Sequence, residues 1–238
     1  MQIQIEFSLK QPLTLPMAYQ YQLQSALYRK LSEGGEPGWH DGGFSADERR
    51  TFKAFCFGSL HGPYEVRDRS FLCFTDRLWL EFRSPLFACC DALQRSLELS
   101  PCLRLFDTSL EVTGARLLNR HILTDSVRFS AETPIVVSRR LHDGKTEYFS
   151  PEEERFFTGI CDNSAEKYAA IAGDDAPKLL LRPGGGFRKT VTRYKGIWVT
   201  GWRGDIVVKA PPAALELLYN AGLGEKNAQG FGFVNIKD

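Results

Sequence analysis

Between Gln2 and Lys237 the apolar residues change period in the same order twice, and this repetition limits the fold more than any single motif. A period of two marks a half-buried strand, and a period of about 3.6 marks an amphipathic helix. Ile3, Ile5, Phe7 and Leu9 alternate, which predicts a first strand over residues 2–9. Leu23, Ala26, Leu27 and Leu31 then fall on one stripe of a helix over Tyr19–Leu31. Phe52–Leu60, Ser70–Thr75 and Leu78–Ser84 read as strands, the last two joined by the tight connection Thr75-Asp76-Arg77. Ser84-Pro85 offers an N-cap and a first-turn proline to a helix with Leu86, Cys89, Cys90, Leu93 and Leu97 on one face. Leu103–Phe106 and Leu110–Leu118 close this half as strands.

The second half repeats the order. Val127–Arg139 is strand-like around Pro134. Ser150-Pro151 precedes a helix with Glu152–Glu154 in its first turn, where the helix dipole favours acid, and Gly173 can end it. Lys178–Arg182, Lys189–Tyr194 and Gly196–Lys209 follow as strands, then a helix opened by Pro211-Pro212 and a last strand over Phe231–Lys237. Two β-α-β-β-α-β units in series predict an α+β chain of two tandem ferredoxin-like domains, residues 1–120 and 125–238. RNA-recognition modules share that topology, although their aromatic stacking signature is not evident here, and topology alone does not give function.

Charge adds direction. From Lys178 onward there are ten basic and four acidic residues, so a net +6 segment is joined to a remainder of −5 in a chain whose total is +1. A basic C-terminal part suits a polyanionic partner; unevenly charged solvated surface is the alternative. The basic residues Arg188, Lys189, Arg193 and Lys195 flank Pro183–Phe187, with Phe187, Tyr194, Trp198 and Trp202 nearby. Such residues position phosphates and stack on bases, or else they are solvated charges alternating with core aromatics. The six cysteines show no CxxC spacing and no paired histidines, so neither zinc nor a disulfide framework is expected, and no metal or cofactor is assigned. No run approaches the about 18 apolar residues of a membrane span, and no signal peptide is evident, so the expected location is the cytoplasm.

Two sets of residues carry chemistry. Gly222, Gly224, Gly230 and Gly232 surround Lys226 and Asn227 between the last helix and the last strand. Such a loop receives an anion on its backbone, or it is a helix cap followed by a tight turn; no Walker pattern accompanies it. Of the four histidines, His40 lies in a Gly-rich polar stretch between Trp39 and Asp41; His61 and His142 read as turn residues, and His121 lies between the units. An exposed imidazole is a candidate acid or base near neutral pH.

The segment Gly222-Leu223-Gly224-Glu225-Lys226-Asn227-Ala228-Gln229-Gly230-Phe231-Gly232 closely resembles the C-terminal glycine-rich motif of the CRISPR-associated repeat-processing endoribonucleases of the RAMP superfamily. Leu15–Tyr28 is similar to that family's first-helix pattern, and Phe52-Lys53-Ala54-Phe55-Cys56-Phe57 to its second-strand pattern. The resemblance implies two ferredoxin-like domains and metal-independent cleavage of the repeat transcript, leaving a 2′,3′-cyclic phosphate and a 5′-hydroxyl. It implies Tyr28, His40 and Lys53 as catalytic residues, with acid and base unassigned between Tyr28 and His40. RNA contacts are expected at Arg188, Lys189, Arg193 and Lys195 from the basic strands, and at Gly222, Gly224, Lys226, Asn227, Gly230 and Gly232 from the place of the loop between the last helix and last strand. The partners the resemblance brings are CRISPR repeat RNA, as precursor and as mature crRNA, with a homodimer and a CRISPR effector complex to be tested. A non-catalytic RNA-binding subunit of such a complex is the alternative. The sequence departs from the family in its glycine-rich stretch between Leu31 and Phe52.

Overall fold

A computed structural model describes residues 1–35, 52–173 and 176–237. Strand β1 (Gln2–Ser8) is the centre of the first sheet because Ile3, Ile5 and Phe7 are all fully buried on one of its faces. It pairs antiparallel with β6 (Leu78–Arg83) on one side and β8 (Thr108–Leu118) on the other. Strand β3 (Cys56–Phe57) lies outside β6, and β7 (Cys102–Leu105) outside β8. The order β3-β6-β1-β8 is the ferredoxin-like arrangement, with β7 as the extra strand. Helices α1 (Gln20–Gly34) and α2 (Phe87–Leu99) cover the face carrying Ile3 and Ile5, and their Leu23, Leu27, Leu31, Leu93 and Leu97 complete that core.

Two expectations change here. Strand β5 (Phe71–Phe74) does not form a hairpin with β6; it pairs with β2 (Leu13–Pro16) and β4 (Tyr64–Arg67) in a separate three-stranded sheet. Phe74 sits opposite Leu13 there and is fully buried, so Asp76-Arg77 carries the chain between sheets. The strand expected over Phe52–Leu60 shrinks to β3. The Phe55 N–H is spent on Lys53 O at 2.8 Å, and Ser84 Oγ donates to Ala54 O at 2.5 Å, so this backbone is satisfied locally instead of by a ladder.

The second sheet runs β12 (Leu180–Tyr194), β13 (Ile197–Lys209), β9 (Ser126–Ala131) and β14 (Val234–Ile236), again the ferredoxin-like order. Helices α3 (Glu154–Ala172) and α4 (Pro212–Ala221) pack on it through Phe156, Ile160, Leu215 and Leu218 against Phe129, Ile206 and Val208. Gly173 ends α3 with a φ of 75°, donating its N–H to Ala169 O at 3.0 Å. A short hairpin, β10 (Ser138–Arg140) and β11 (Thr146–Tyr148), follows β9. The two strands expected around Pro183–Phe187 are one strand, β12, which shifts register against β13 between Pro183 and Arg188 and continues. Among the described residues no helix is long and apolar enough to cross a membrane.

The two cores are joined by polar contacts as well as packing. Arg83 of β6 reaches Val234 O and Asn235 Oδ1, Cys56 Sγ donates to Asn220 O at 3.3 Å, and Tyr194 Oη hydrogen-bonds Gln24 of α1. Glu132, after β9, accepts from Ser59 N at 2.8 Å and pairs with His61 Nε2 at 2.9 Å.

Candidate functional site

A cleft of about 530 Å³ opens where these halves meet. Helix α1 contributes Tyr28, the segment before β3 contributes Lys53, and the glycine-rich segment contributes Gly224, Lys226 and Asn227. Residues far apart in the chain, at Tyr28, Lys53 and 224–227, therefore share one cavity. His40 lies outside the described residues.

The environment of Tyr28 fixes its protonation. The ring is half-buried, edge-on to Phe55 at 5.3 Å, and burial pushes the phenol up to about 12, with a hydrogen bond from Gln24 opposing. Near neutral pH it keeps its proton and acts as a hydrogen-bond donor. Lys53 is half-buried and lines the same cleft.

The glycine-rich loop is built from within. Gly232 has a φ of 67°, and a side chain there would sit 1.9 Å from Leu223 O; its own carbonyl accepts from Leu223 N at 2.9 Å and closes the loop, while its N–H donates to Pro134 O at 2.9 Å. Gly230, at φ 86°, lets the loop settle against the Phe57 ring of the first unit. Asn227, expected to contact RNA by its side chain, is buried; its Nδ2 donates to Leu223 O and Phe231 O at 3.0 and 3.1 Å. Its place is inside the loop. Lys226, at φ 61°, stays half-exposed on the cleft side.

The residue holding this loop to the body is Lys167 of α3, which the sequence reading missed. Its ammonium is buried and donates to Gly222 O at 2.9 Å, Gly224 O at 2.7 Å and Asn227 Oδ1 at 2.5 Å. The signal was present: Phe156, Ile160, Asn163, Ser164 and Lys167 form the buried stripe of α3, and a lysine on such a stripe needs acceptors. Burial draws the Lys167 ammonium down to about 7, with the Glu225 carboxylate opposing; Cys56 is itself pushed up to about 12 by burial and remains an uncharged thiol there.

This has a pH consequence. The folded chain gives up the Lys167 proton near pH 7 and the unfolded chain near the ordinary 10.5, so between these values the unfolded state binds more protons. Stability therefore rises with pH across that window, by at most about 1.4 kcal/mol per unit from this group. Chemical denaturation of the wild type and of Lys167→Met from pH 7 to 9.5 should show this rise in the difference between them. Parallel stability curves would assign the pH dependence to other groups.

The basic strands are displayed as expected, but as one hairpin. Arg188, Lys189 and Arg193 are exposed on β12, and Lys195, in the turn at φ 48°, places its ammonium 4.8 Å from the centre of the Tyr21 ring. Arg188 is paired in register with Arg203, a like-charge cross-strand pair that an anion would relieve. Of the four aromatics considered for stacking, Trp198 is 63% exposed, whereas Tyr194 and Trp202 are buried and Phe187 packs edge-on against Phe156 and Phe157. His61 pairs with Glu132 and stacks on Trp79 at 3.9 Å, His121 lies 3.3 Å from Glu216, and His142 is on an exposed hairpin tip.

Comparison with known proteins gives this arrangement a family. Residues 118–236, half of the chain, match the family model described as CRISPR associated protein Cas6, C-terminal. The chain belongs to the Cas6 family. A curated relative, the CRISPR-associated endoribonuclease Cas6 of Pyrococcus furiosus, is 28% identical over 153 residues. That match spans 62% of this chain and 56% of the relative. Solved structures extend the likeness in fold over the whole length. A Cas6-related protein of Pyrococcus furiosus superposes with a TM-score of 0.86 at 20% identity, covering 100% of this chain and 98% of its own. A RAMP protein described as binding different RNA substrates gives 0.84 at 20% identity, covering all of both chains. The tandem ferredoxin-like architecture is thus that of Cas6 and RAMP proteins.

Proposed function

We propose that this chain is a metal-independent endoribonuclease that cuts CRISPR precursor RNA within the repeat and yields crRNA. The observation that carries the reading is the single cleft shared by Tyr28, Lys53 and the glycine-rich loop in a member of the Cas6 family. Cleavage begins when a base removes the proton of a 2′-hydroxyl and the oxygen attacks the adjacent phosphorus. The P–O5′ bond then breaks, an acid protonates the leaving oxygen, and a 2′,3′-cyclic phosphate and a 5′-hydroxyl remain. His40 is assigned the proton transfer, Lys53 the charge on the phosphorane, and Tyr28 a hydrogen bond to the phosphate from its retained proton. The proposed catalytic unit is 1–120, and 125–238 supplies the RNA-holding loop and hairpin.

The test is incubation of the protein with labelled repeat RNA in EDTA, beside His40→Ala. Cleavage in the wild type and its loss in the variant, with RNA binding kept, is the expected result. Binding with no cleavage in either would make the chain a non-catalytic RNA-binding subunit.

The hairpin gives a separate expectation. Arg188→Ala, Lys189→Ala and Arg193→Ala should each weaken RNA binding and reduce the slope of log K against log[salt] by about 0.7 per lost phosphate contact on a single strand. Titrations at several salt concentrations check it; an unchanged slope would take these residues off the RNA path.

A further inference from the structure

Asn163 of α3 is 4% exposed and lines the cleft, and its Oδ1 is buried with no hydrogen-bond partner among the described residues. Buried side-chain oxygens are rarely left so, and each exception asks for an explanation. Gln20 Oε1, Gln22 Oε1 and Ser164 Oγ share that state, but they are not among the residues lining this cleft. On the same buried stripe, Ser164 Oγ makes no hydrogen bond among the described residues, and Lys167, one turn on, gives its three hydrogens to Gly222 O, Gly224 O and Asn227 Oδ1. Among the described residues no group supplies a hydrogen bond to Asn163 Oδ1, which leaves that place to a donor entering the cleft.

We infer that Asn163 is a specificity-determining residue that reads an unpaired RNA base carrying an exocyclic amine. This rests on the cleft being the RNA site proposed above. A carboxamide is complementary to an amine beside a ring nitrogen, as in adenine or cytosine, and unpaired bases expose those edges. Asn163 lines the same cleft as Tyr28 and Lys53, so the base it reads belongs to a nucleotide held in the cleft where the reacting phosphate is placed. The glycine loop, held by the adjacent Lys167, sets the width of the slot. A 2′-hydroxyl is the other RNA donor of the same chemistry, and the test separates the two.

The experiment measures binding by the full chain, as wild type, Asn163→Leu and Asn163→Asp. The probes are the repeat RNA of the host array and a panel in which each adenosine or cytidine in turn lacks only its exocyclic amine. A second panel carries single 2′-deoxy substitutions. At one base position, amine deletion should weaken wild-type binding on the order of tenfold and leave Asn163→Leu binding unchanged. Asn163→Leu should meanwhile melt at a temperature no lower than the wild type, because it replaces an unpartnered polar group with an apolar one of similar size. Weaker binding without lower stability is a combination that a purely structural asparagine would not produce. Coupling of Asn163 to a 2′-deoxy position alone would overturn base reading, as would RNA affinity unaffected by Asn163→Leu and Asn163→Asp. Wild-type protein that binds repeat RNA without any coupling sinks this inference alone; wild-type protein that binds no RNA sinks it together with the proposed function.

Discussion

Replacing Lys53 by alanine is expected to slow repeat cleavage by about 10²–10³-fold while RNA binding changes far less. The effect comes from differential charge. The ground-state phosphodiester carries one negative charge, and the phosphorane formed by 2′-oxygen attack concentrates more of it on the oxygens facing the cleft. A lysine that is half-buried in the same cleft as the half-buried Tyr28 is less screened by water than a surface cation, so its effect grows with that charge. Tyr28→Phe removes only a neutral donor and should cost roughly tenfold or less. The Tyr28 phenol, at about 12, does not titrate near neutrality, so the pH–rate profile of Tyr28→Phe should keep the wild-type inflection. Single-turnover rates at saturating protein across pH 5–9 separate these roles. A shifted inflection in Tyr28→Phe would make the tyrosine part of the proton relay, and equal losses of binding and rate in Lys53→Ala would make Lys53 a docking residue.

The architecture could be read from the sequence because each ferredoxin-like unit repeats its own change of period. Ile3, Ile5 and Phe7 on one face, and the Leu23-Leu27-Leu31 stripe, admit few other packings. Two helix ends were also legible, at Gly173 and Pro212, whereas Ser84-Pro85 does not cap α2: that helix starts at Phe87 with Leu86 in the N-cap position, and Ser84 Oγ serves Ala54 O and Leu86 N instead. What could not be read was partner choice. Phe71–Phe74 has the composition of a strand, yet nothing in it says that it pairs with Leu13–Pro16 instead of Leu78–Arg83. Nor does the pattern of Lys178–Tyr194 say that one bulged strand crosses its glycines.

The site was legible in its parts and not in its assembly. Tyr28, Lys53 and the loop were found through local motifs, whereas their common cleft is a product of how two sheets meet. Asn227 shows the difference most sharply. A polar residue between glycines reads as a ligand contact, but its amide is saturated by Leu223, Phe231 and Lys167. The residue that organises the loop, Lys167, lies 55 positions before the nearest carbonyl it holds, at Gly222. Such long-range pairing leaves only one local trace, a charge on an apolar stripe.

Arg83 ties the second unit to the first through a buried, fully engaged guanidinium, and Arg83→Ala is expected to destabilise the protein by about 3–5 kcal/mol. Arg83 ends β6 and is 1% exposed. Its guanidinium pairs with Glu81 through Nε at 2.5 Å, donates from Nη1 to Val234 O at 2.5 Å, and donates from Nη2 to Asn235 Oδ1 at 2.7 Å. The rings of Tyr219 and Phe233 lie 3.8 and 4.0 Å from its central carbon, one from α4 and one from the segment before β14. One flat cation thus joins three elements of the second unit to an edge of the first. Alanine would leave Glu81 and Val234 O without their partner and open a void between two aromatic rings. Lysine keeps the charge but lacks the planar fork, so it should recover little of the loss. For a chain of 238 residues the fall in Tm should be roughly 6–20 °C. Because the lining of the cleft comes from both units, weakened docking should also lower cleavage at temperatures where each sheet remains folded. Calorimetry of Arg83→Ala and Arg83→Lys, with cleavage assayed below the transition, tests both parts. A shift under 2 °C with full activity would mean that apolar packing alone holds the two sheets together.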